Sequence, residues 1–235
     1  RYLNTNGGQG GLPGSKITAL TLDDNQFLWV GTDEGIAFFP NLNAILQGQA
    51  LTASIPIYEN RLLLRDENIT AVAIDPANRK WFGTKNNGLW LFSETGEELV
   101  QRFTTQNSPL ISNAITSIYV EEISGEVFVG TDKGLVSFKS DATLGTFEHQ
   151  NVKIYPNPVP PNFDGQIVIN GLVNNASVKI TDISGKLVKE TKANGSTAIW
   201  NSRDNSGAKV KTGVYLVFSS NADGTETFVG KIVVI

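Results

Sequence analysis

A pattern of about two dozen residues, written three times, constrains the fold of this chain more than any other feature. The copies read "ITALTLDDNQFLWVGTDEGIAFF" from Ile17, "ITAVAIDPANRKWFGTKNNGLWLF" from Ile69 and "ITSIYVEEISGEVFVGTDKGLVSF" from Ile115. Each has an Ile-Thr start, a turn, an aromatic-rich run ending in Gly-Thr, a tight turn with a glycine, and a second apolar run. The Gly-Thr glycines Gly31, Gly83 and Gly130 follow one another at 52 and 47 residues, near the period of propeller blades. "FLWVGT" and "GLWLF" are continuous apolar runs, which fits strands covered on both faces. "DDNQ", "DPAN" and "EISGE" supply turn chemistry between the first two strands. "TDEG", "TKNNG" and "TDKG" then offer a glycine for the positive φ of a short hairpin loop. A fourth, outer strand is expected in "IPIYENRLLL" (Ile55 to Leu64) and in "LVQRFTT" (Leu99 to Thr105). "NLNAILQGQAL" is the only helix candidate.

From Ile17 to Lys139 the repeat resembles the two-component-regulator propeller repeat of Bacteroidetes surface and sensor proteins. The third copy departs from it, with Glu121 for the usual Asp, Phe128 for the usual Trp, and a longer turn. Closed propellers have about four to eight blades. The expectation for residues 1–150 is therefore about three C-terminal blades of a larger β-propeller, with residues 1–16 ending an earlier blade. The chain then reads as the C-terminal piece of a longer protein, since an open stack exposes large apolar faces. Trp29, Trp81 and Trp90 sit inside apolar runs and are assigned to packing between blades. Asp23-Asp24, Glu97-Glu98 and Glu121-Glu122 lie at turns and are assigned to solvated charge.

The pattern changes after "NVKIYPNPVPPNFDGQ" (Asn151 to Gln166), which has four prolines between Pro156 and Pro161. Shorter strand candidates follow: "VKIYP", "GQIVIN", "SVKIT", "GKLVKET", "STAIWN", "VYLVFSS" and "TFVGKIVVI". "SVKIT" places Val178 and Ile180 on one face and Lys179 and Thr181 on the other. Seven short strands in about 85 residues predict a seven-stranded antiparallel Ig-like β-sandwich over residues 151–235. The whole chain is thus expected to be all-β.

Tyr155-Pro156-Asn157-Pro158, then "DISGKLV" with Gly185 and Lys186, then "TGVY" with Gly213 and Tyr215, then Lys231 in the last run, occur in that order. Together they resemble the C-terminal sorting domain of the Bacteroidetes type IX secretion system. That resemblance makes these nine residues the candidates for sorting or interaction. Each also has a structural reading. The prolines hold an extended entry strand, Gly185 and Gly213 serve turns, and Tyr215 and Trp200 fill a core.

Composition narrows the chemistry. A net charge of −4 without a basic stripe argues against nucleic acid, which is bound through its phosphates. No apolar run is long enough to span a bilayer. The absence of cysteine excludes disulfides and cysteine-zinc sites. His149 is the only histidine, and no nucleophile motif lies near it. "DNSG" at Asp204 lacks the alternating ligands of a calcium loop. No catalytic residue, metal site or cofactor is therefore assigned.

The paired resemblances imply a non-enzymatic surface component of the type IX attachment complex, associated with the outer membrane. Its implied partners are the sortase PorU, PorV- and PorQ-type outer-membrane proteins, and anionic lipopolysaccharide. For a sugar-phosphate ligand, Lys186, Lys189, Lys192 and Lys231 are the candidate contacts. The alternative is a secreted cargo, a glycan-acting enzyme or adhesin, whose sorting domain is cleaved. A third reading, the periplasmic sensor half of a two-component regulator, is disfavoured by "YPNP".

Overall fold

The computed structural model describes residues 2–235. The chain divides into two units: residues up to Glu121 together with Glu126–Lys139, and Glu122–Gly125 together with Ser140–Ile235. Residues 140–150 thus fall with the second unit. Thr143 ties them in, sharing hydrogen bonds with the hydroxyls of Ser196 (2.8 Å) and Thr197 (2.7 Å).

The first unit is built from blades. β1 (Gln9–Gly10) precedes the first blade, which comprises β2 (Ile17–Leu22), β3 (Leu28–Thr32) and β4 (Gly35–Phe39). Asn41 then caps the expected short helix α1 (Leu42–Leu46), accepting from the Ala44 N–H. β5 (Leu51–Thr52) pairs in parallel with β1, so the first residues join the edge of the first blade's following segment. The outer strand expected at Ile55–Leu64 does not form. Glu59 and Asn60 both take positive φ (49° and 61°), the pattern of a two-residue hairpin turn. The segment therefore folds on itself as β6 (Ile57–Tyr58) and β7 (Arg61–Leu62).

The second blade has all four strands: β8 (Ile69–Ile74), β9 (Lys80–Thr84), β10 (Leu89–Phe92) and β11 (Leu99–Phe103). The third has β12 (Ile115–Glu121), β13 (Glu126–Thr131) and β14 (Gly134–Lys139).

One contact repeats between neighbouring blades. The first isoleucine of each following copy enters the space left by the Gly-Thr glycine before it. A Cβ on Gly31 would lie 2.9 Å from Ile69 Cγ2, and one on Gly83 would lie 2.6 Å from Ile115 Cγ2. Ile69 and Ile115 are consequently buried, each burial stabilising by about 1.5–3 kcal/mol. The two ends of the stack lack this contact. Ile17 is 42% exposed, and the atoms nearest a Cβ on Gly130 belong to Ser117 and Thr116 of its own blade. Tyr119 and Leu135 on the third blade are also exposed. These are the faces expected of a partial propeller.

A second lock is polar, and it corrects the sequence reading. Asp23 is buried rather than solvated. It accepts from the Phe27 N–H (2.9 Å) and the Trp29 indole N–H (2.9 Å). The second copy repeats this at Asp75, which accepts from the Arg79 N–H (3.1 Å) and the Trp81 indole (3.2 Å). The repeat's Asp and Trp are therefore one device, joining the turn to the strand six residues on. Asp75 gets its counter-charge from Arg79 in its own turn (2.8 Å). Asp23 gets its own from the next blade, through fully buried Lys80 (2.9 Å). Burial opposes ionisation of Asp23, but the Trp29 and Phe27 donors and Lys80 hold its carboxyl below the ordinary range.

The second unit is the expected seven-stranded antiparallel sandwich. β15 (Lys153–Tyr155), β16 (Ile167–Asn170) and β19 (Thr197–Trp200) form one sheet. β17 (Ser177–Asp182), β18 (Leu187–Lys192), β20 (Gly213–Ser220) and β21 (Thr227–Val234) form the other, in the order β18-β17-β20-β21. Val178, Ile180, Ile167, Ile169, Val217 and Ile232 meet between the sheets. Trp200 packs edge-on against Tyr215 at 5.4 Å, both in the core. Thr181, expected outside, is buried beside a register shift in β17.

Two outcomes test the locks. Gly83→Ala should cost about 1–3 kcal/mol in urea unfolding through overpacking against Ile115. Gly130→Ala should cost less, because only the small side chains of Ser117 and Thr116 must move. Asp23→Asn should cost about 3–5 kcal/mol at neutral pH, since it leaves Lys80 buried without its counter-ion. The stability supplied by ionised Asp23 is present above about pH 4 and lost as pH falls through its lowered folded value. Asp23→Asn should accordingly lose stability less steeply below pH 4 than the parent chain.

Candidate interaction surface

The proline-rich stretch crosses from one sheet of the sandwich to the other. Tyr155 ends β15 in the three-stranded sheet and is half exposed. Val159 then pairs in parallel with β21 of the four-stranded sheet. Its N–H donates to the Val233 carbonyl (2.7 Å), and its carbonyl accepts from the Ile235 N–H (3.2 Å). The peptide bonds before Pro156 and Pro158 are both cis.

Asn157 lies at the centre of this crossing. Its side-chain amide donates to the Lys231 carbonyl (2.8 Å) and its side-chain carbonyl accepts from the Val233 N–H (3.0 Å). One side chain thus supplies both hydrogen bonds that a neighbouring strand would make. Asn205 does related work on the opposite edge of the sheet. Its backbone N–H donates to the Val188 carbonyl (2.9 Å), and its side chain accepts from the Glu190 N–H (3.4 Å). Free strand edges invite pairing with other chains, and both edges of this sheet are partly closed by an asparagine.

The "DISG" turn joins β17 to β18. Asp182 Oδ1 accepts from the Ser184 N–H, the Ser184 hydroxyl and the Lys186 N–H. Its Ser184 hydroxyl bond, ahead of the backbone bonds, holds this exposed carboxyl below its ordinary value. Gly185 has φ of +85° with open space around it, so backbone conformation alone favours glycine there. "DNSG" is a second copy of the same turn, with Asp204 accepting from Ser206 and Ala208. Its Gly207 N–H donates to the Asp204 carbonyl (3.0 Å), closing a turn.

"TGVY" differs from its sequence reading. Gly213 is not a turn residue; it opens β20 opposite Val234 and does not take a left-handed φ. The function of the motif rests with Tyr215, whose hydroxyl donates to the Lys211 carbonyl (2.7 Å) four residues earlier. That is the geometry of a tyrosine corner, which pins the entry to a strand of Ig-like sandwiches. Burial, with the Asp182 charge nearby, pushes the Tyr215 hydroxyl pKa up, so it donates as a phenol.

The structure gathers most of the nine candidates at one end of the sheet. Asp182 pairs with Tyr215, Gly213 with Val234, and Asn157 clamps Lys231 and Val233. Tyr155 stands apart on the other sheet. The lysines do not converge on one anion site. Lys189 and Lys192 lie on edge strand β18 and Lys231 on the opposite edge strand β21. Two strands intervene, which sets the edges roughly 14 Å apart at normal strand spacing. Lys179 is paired with Glu190 at 3.6 Å.

His149, the chain's one histidine, is held by structural contacts. His149 Nδ1 accepts from the Val173 N–H (3.1 Å), and its ring packs on Phe228. Burial pushes its pKa down, so the histidine sits as a neutral tether. Among the described residues no group of three His, Cys, Asp or Glu could hold a metal ion, and no helix is long and apolar enough to cross a membrane.

Known proteins account for both units. Residues 153–235 match the family model described as the secretion system C-terminal sorting domain. The match spans the whole sandwich from β15 to the last residue. Residues 11–34 match the two component regulator propeller model. Among solved structures the chain is similar to PorZ of Porphyromonas gingivalis, described as an essential bacterial surface component of the type-IX secretion system. Identity is 32% and the TM-score 0.70, over 93% of this chain and 30% of PorZ. Weaker likenesses include the extracellular domain of a hybrid two component system from B. thetaiotaomicron (13% identity, TM-score 0.42, 95% of this chain and 33% of that one). An ancestral GH74 enzyme matches at 14% and 0.41, over 94% and 33%. No curated protein sequence matches significantly. The sorting domain and the PorZ likeness connect the chain to type IX secretion and to export to the cell surface.

Asn157→Ala should leave the core packed but release the Val233 N–H. Amide exchange at Val233 should quicken, with a stability loss of about 1–2 kcal/mol. Unchanged exchange at Val233 would show that the clamp does not hold the edge.

Proposed function

We propose that the chain belongs to a non-enzymatic cell-surface component of the type IX attachment complex, held at the outer membrane. The observation that carries this reading is that the PorZ likeness spans blades and sorting domain together, at 32% identity over 93% of the chain. In this reading the blades are a rigid platform and the sorting domain a retained handle. The partners are those implied by the family: the sortase PorU, PorV- and PorQ-type outer-membrane proteins, and anionic lipopolysaccharide. The candidate contacts on the handle are Tyr155, Pro156, Asn157 and Pro158 at the crossing, Gly185 and Lys186 at the turn, and Gly213, Tyr215 and Lys231 on the last two strands. Asn157, Gly185 and Tyr215 also have structural duties, so they act by holding the surface in shape. The scattered lysines favour a polypeptide partner over a sugar-phosphate for this domain.

A secreted cargo is the second reading, favoured by the sorting domain itself, which also marks proteins to be trimmed. The two readings predict different mature chains. Intact-mass measurement of the surface protein should find "KIVVI" still present at the C-terminus. A mature chain ending before about Val152 would establish the cargo reading instead. In a parallel pull-down, the full-length protein should retain a PorU-type sortase, and Lys231→Glu should weaken that capture without lowering the melting temperature.

A further inference from the structure

We propose that His149 is an acid-released latch, holding residues 146–150 on the sandwich when neutral and letting them go when protonated. These residues lead into β15 and lie along residues 171–174. Three hydrogen bonds join the two stretches. The Asn174 N–H donates to the Thr146 carbonyl (2.9 Å), and the Gln150 N–H donates to the Gly171 carbonyl (2.8 Å). Between them the Val173 N–H donates to His149 Nδ1 (3.1 Å). His149 is also the only one of residues 146–150 that is not exposed, and Phe147 is 96% exposed. The His149 ring centroid lies 5.8 Å from that of Phe228. The stretch is therefore anchored by one side chain, and that side chain titrates.

The middle hydrogen bond sets the protonation state. A neutral imidazole has one N–H and one bare nitrogen, whereas imidazolium has two N–H groups. Nδ1 accepts from Val173, so the proton sits on Nε2. Nε2 is buried and faces the Ser219 carbonyl without well-formed hydrogen-bond geometry. A second proton has to go on Nδ1, where it points at the Val173 N–H. Two donors cannot share one bond, so the ring must leave and Val173 loses its partner.

The surroundings offer the imidazolium little. Glu226, in the hairpin between β20 and β21, is the charged group facing the ring, and its Oε1 accepts from the His149 backbone N–H (3.3 Å). Asp223 in the same hairpin is engaged by Thr225, and Glu148, next in the chain, is exposed. Residues 171–176, 217–220 and 227–229 carry no ionisable side chain. Burial outweighs the pull of Glu226 and of the Ser219 carbonyl, holding the His149 pKa below its ordinary value. The latch is thus fully closed above about pH 6.5, the ordinary histidine value, and opens as pH falls through the lower folded value. Acid loosens the entry to the sandwich while the core stays packed.

The test is amide exchange on the full chain at pH 7.5 and pH 5, read residue by residue and corrected for the intrinsic effect of pH, with the His149 ring titrated by NMR. Protection at Val173, Asn174 and Gln150 should fall together by about tenfold at pH 5. The ordinary histidine value caps that fall at about thirtyfold. Ile180 and Val217 should remain the better protected at both pH values, which separates release from unfolding. The Val173 amide shift should titrate with the midpoint of the His149 ring. His149→Gln cannot take up a proton, so protection in that variant should be the same at both pH values, whether or not the new amide accepts from Val173. The proposal is overturned by equal protection of Val173 at the two pH values in the parent chain, or by a fall that survives in His149→Gln. Different midpoints for ring and amide, or exchange of Ile180 as fast as that of Val173 at pH 5, would overturn it as well.

Discussion

A carboxylate buried between two blades sets the geometry of the first unit. Asp23 sits in a turn of the first blade, yet its counter-ion Lys80 comes from the second. An unpaired charge in that position would be strongly destabilising, and a paired one is tolerated only with further hydrogen bonds. Those bonds come from the Phe27 amide and the Trp29 indole. Lys80 is itself held by Asn78, through its backbone carbonyl at 2.6 Å and its side chain at 2.9 Å. Asn78 Oδ1 also accepts from the Asp24 N–H across the blade boundary. The second blade can therefore sit in one register only. The apolar lock, Ile69 against Gly31, supplies the burial, and the polar lock supplies the alignment.

The sandwich meets a different constraint with the same kind of solution. Its four-stranded sheet ends in two strands whose outer backbone groups need partners. Asn157 and Asn205 provide part of what a fifth strand would provide. "YPNP" is thus a way to carry the chain from one sheet to the other and finish the edge of the last strand. The tyrosine corner fixes β20, the strand on which β21 lies. Most of the candidate residues, Tyr155 excepted, consequently gather around the C-terminal strand pair.

Much of this was legible in the sequence. Apolar runs bounded by turn residues located all seven sandwich strands and the three strands of each repeat. Burial of polar residues was not legible in the same way. Asp23 and Asp75 occupy turn positions, and turn positions normally mean solvent. The signal was available in the spacing: both copies that keep Trp also keep an Asp six residues before it, and the copy with Phe128 carries Glu121 seven residues before. Such linked changes mark a pair in contact. Trp90 follows neither pattern. It is half buried, packed against the apolar cluster shared by the first and second blades, with the Arg102 guanidinium 4.1 Å over its ring. Ile55–Leu64 failed as a strand because local turn chemistry at Glu59-Asn60 outcompeted pairing with β4. The dispersal of the lysines was invisible because charge count carries no information on which edge of a sheet a residue occupies.

The closed edges bear on how such a domain can be recognised. A partner that adds a strand needs a run of free N–H and carbonyl groups. Along β21 the stretch from Lys231 to Ile235 is already occupied by Asn157 and Val159. On β18 the groups of Val188 and Glu190 are occupied by Asn205. Along these stretches recognition falls to side chains on the outer face and to the turns. The outer face of β20 and β21 is suited to it, since Val214, Phe218 and Val229 are exposed there around Lys231. A surface of this type discriminates through shape and one charge, whereas an open edge would accept many extended chains. Such selectivity separates recognition from aggregation.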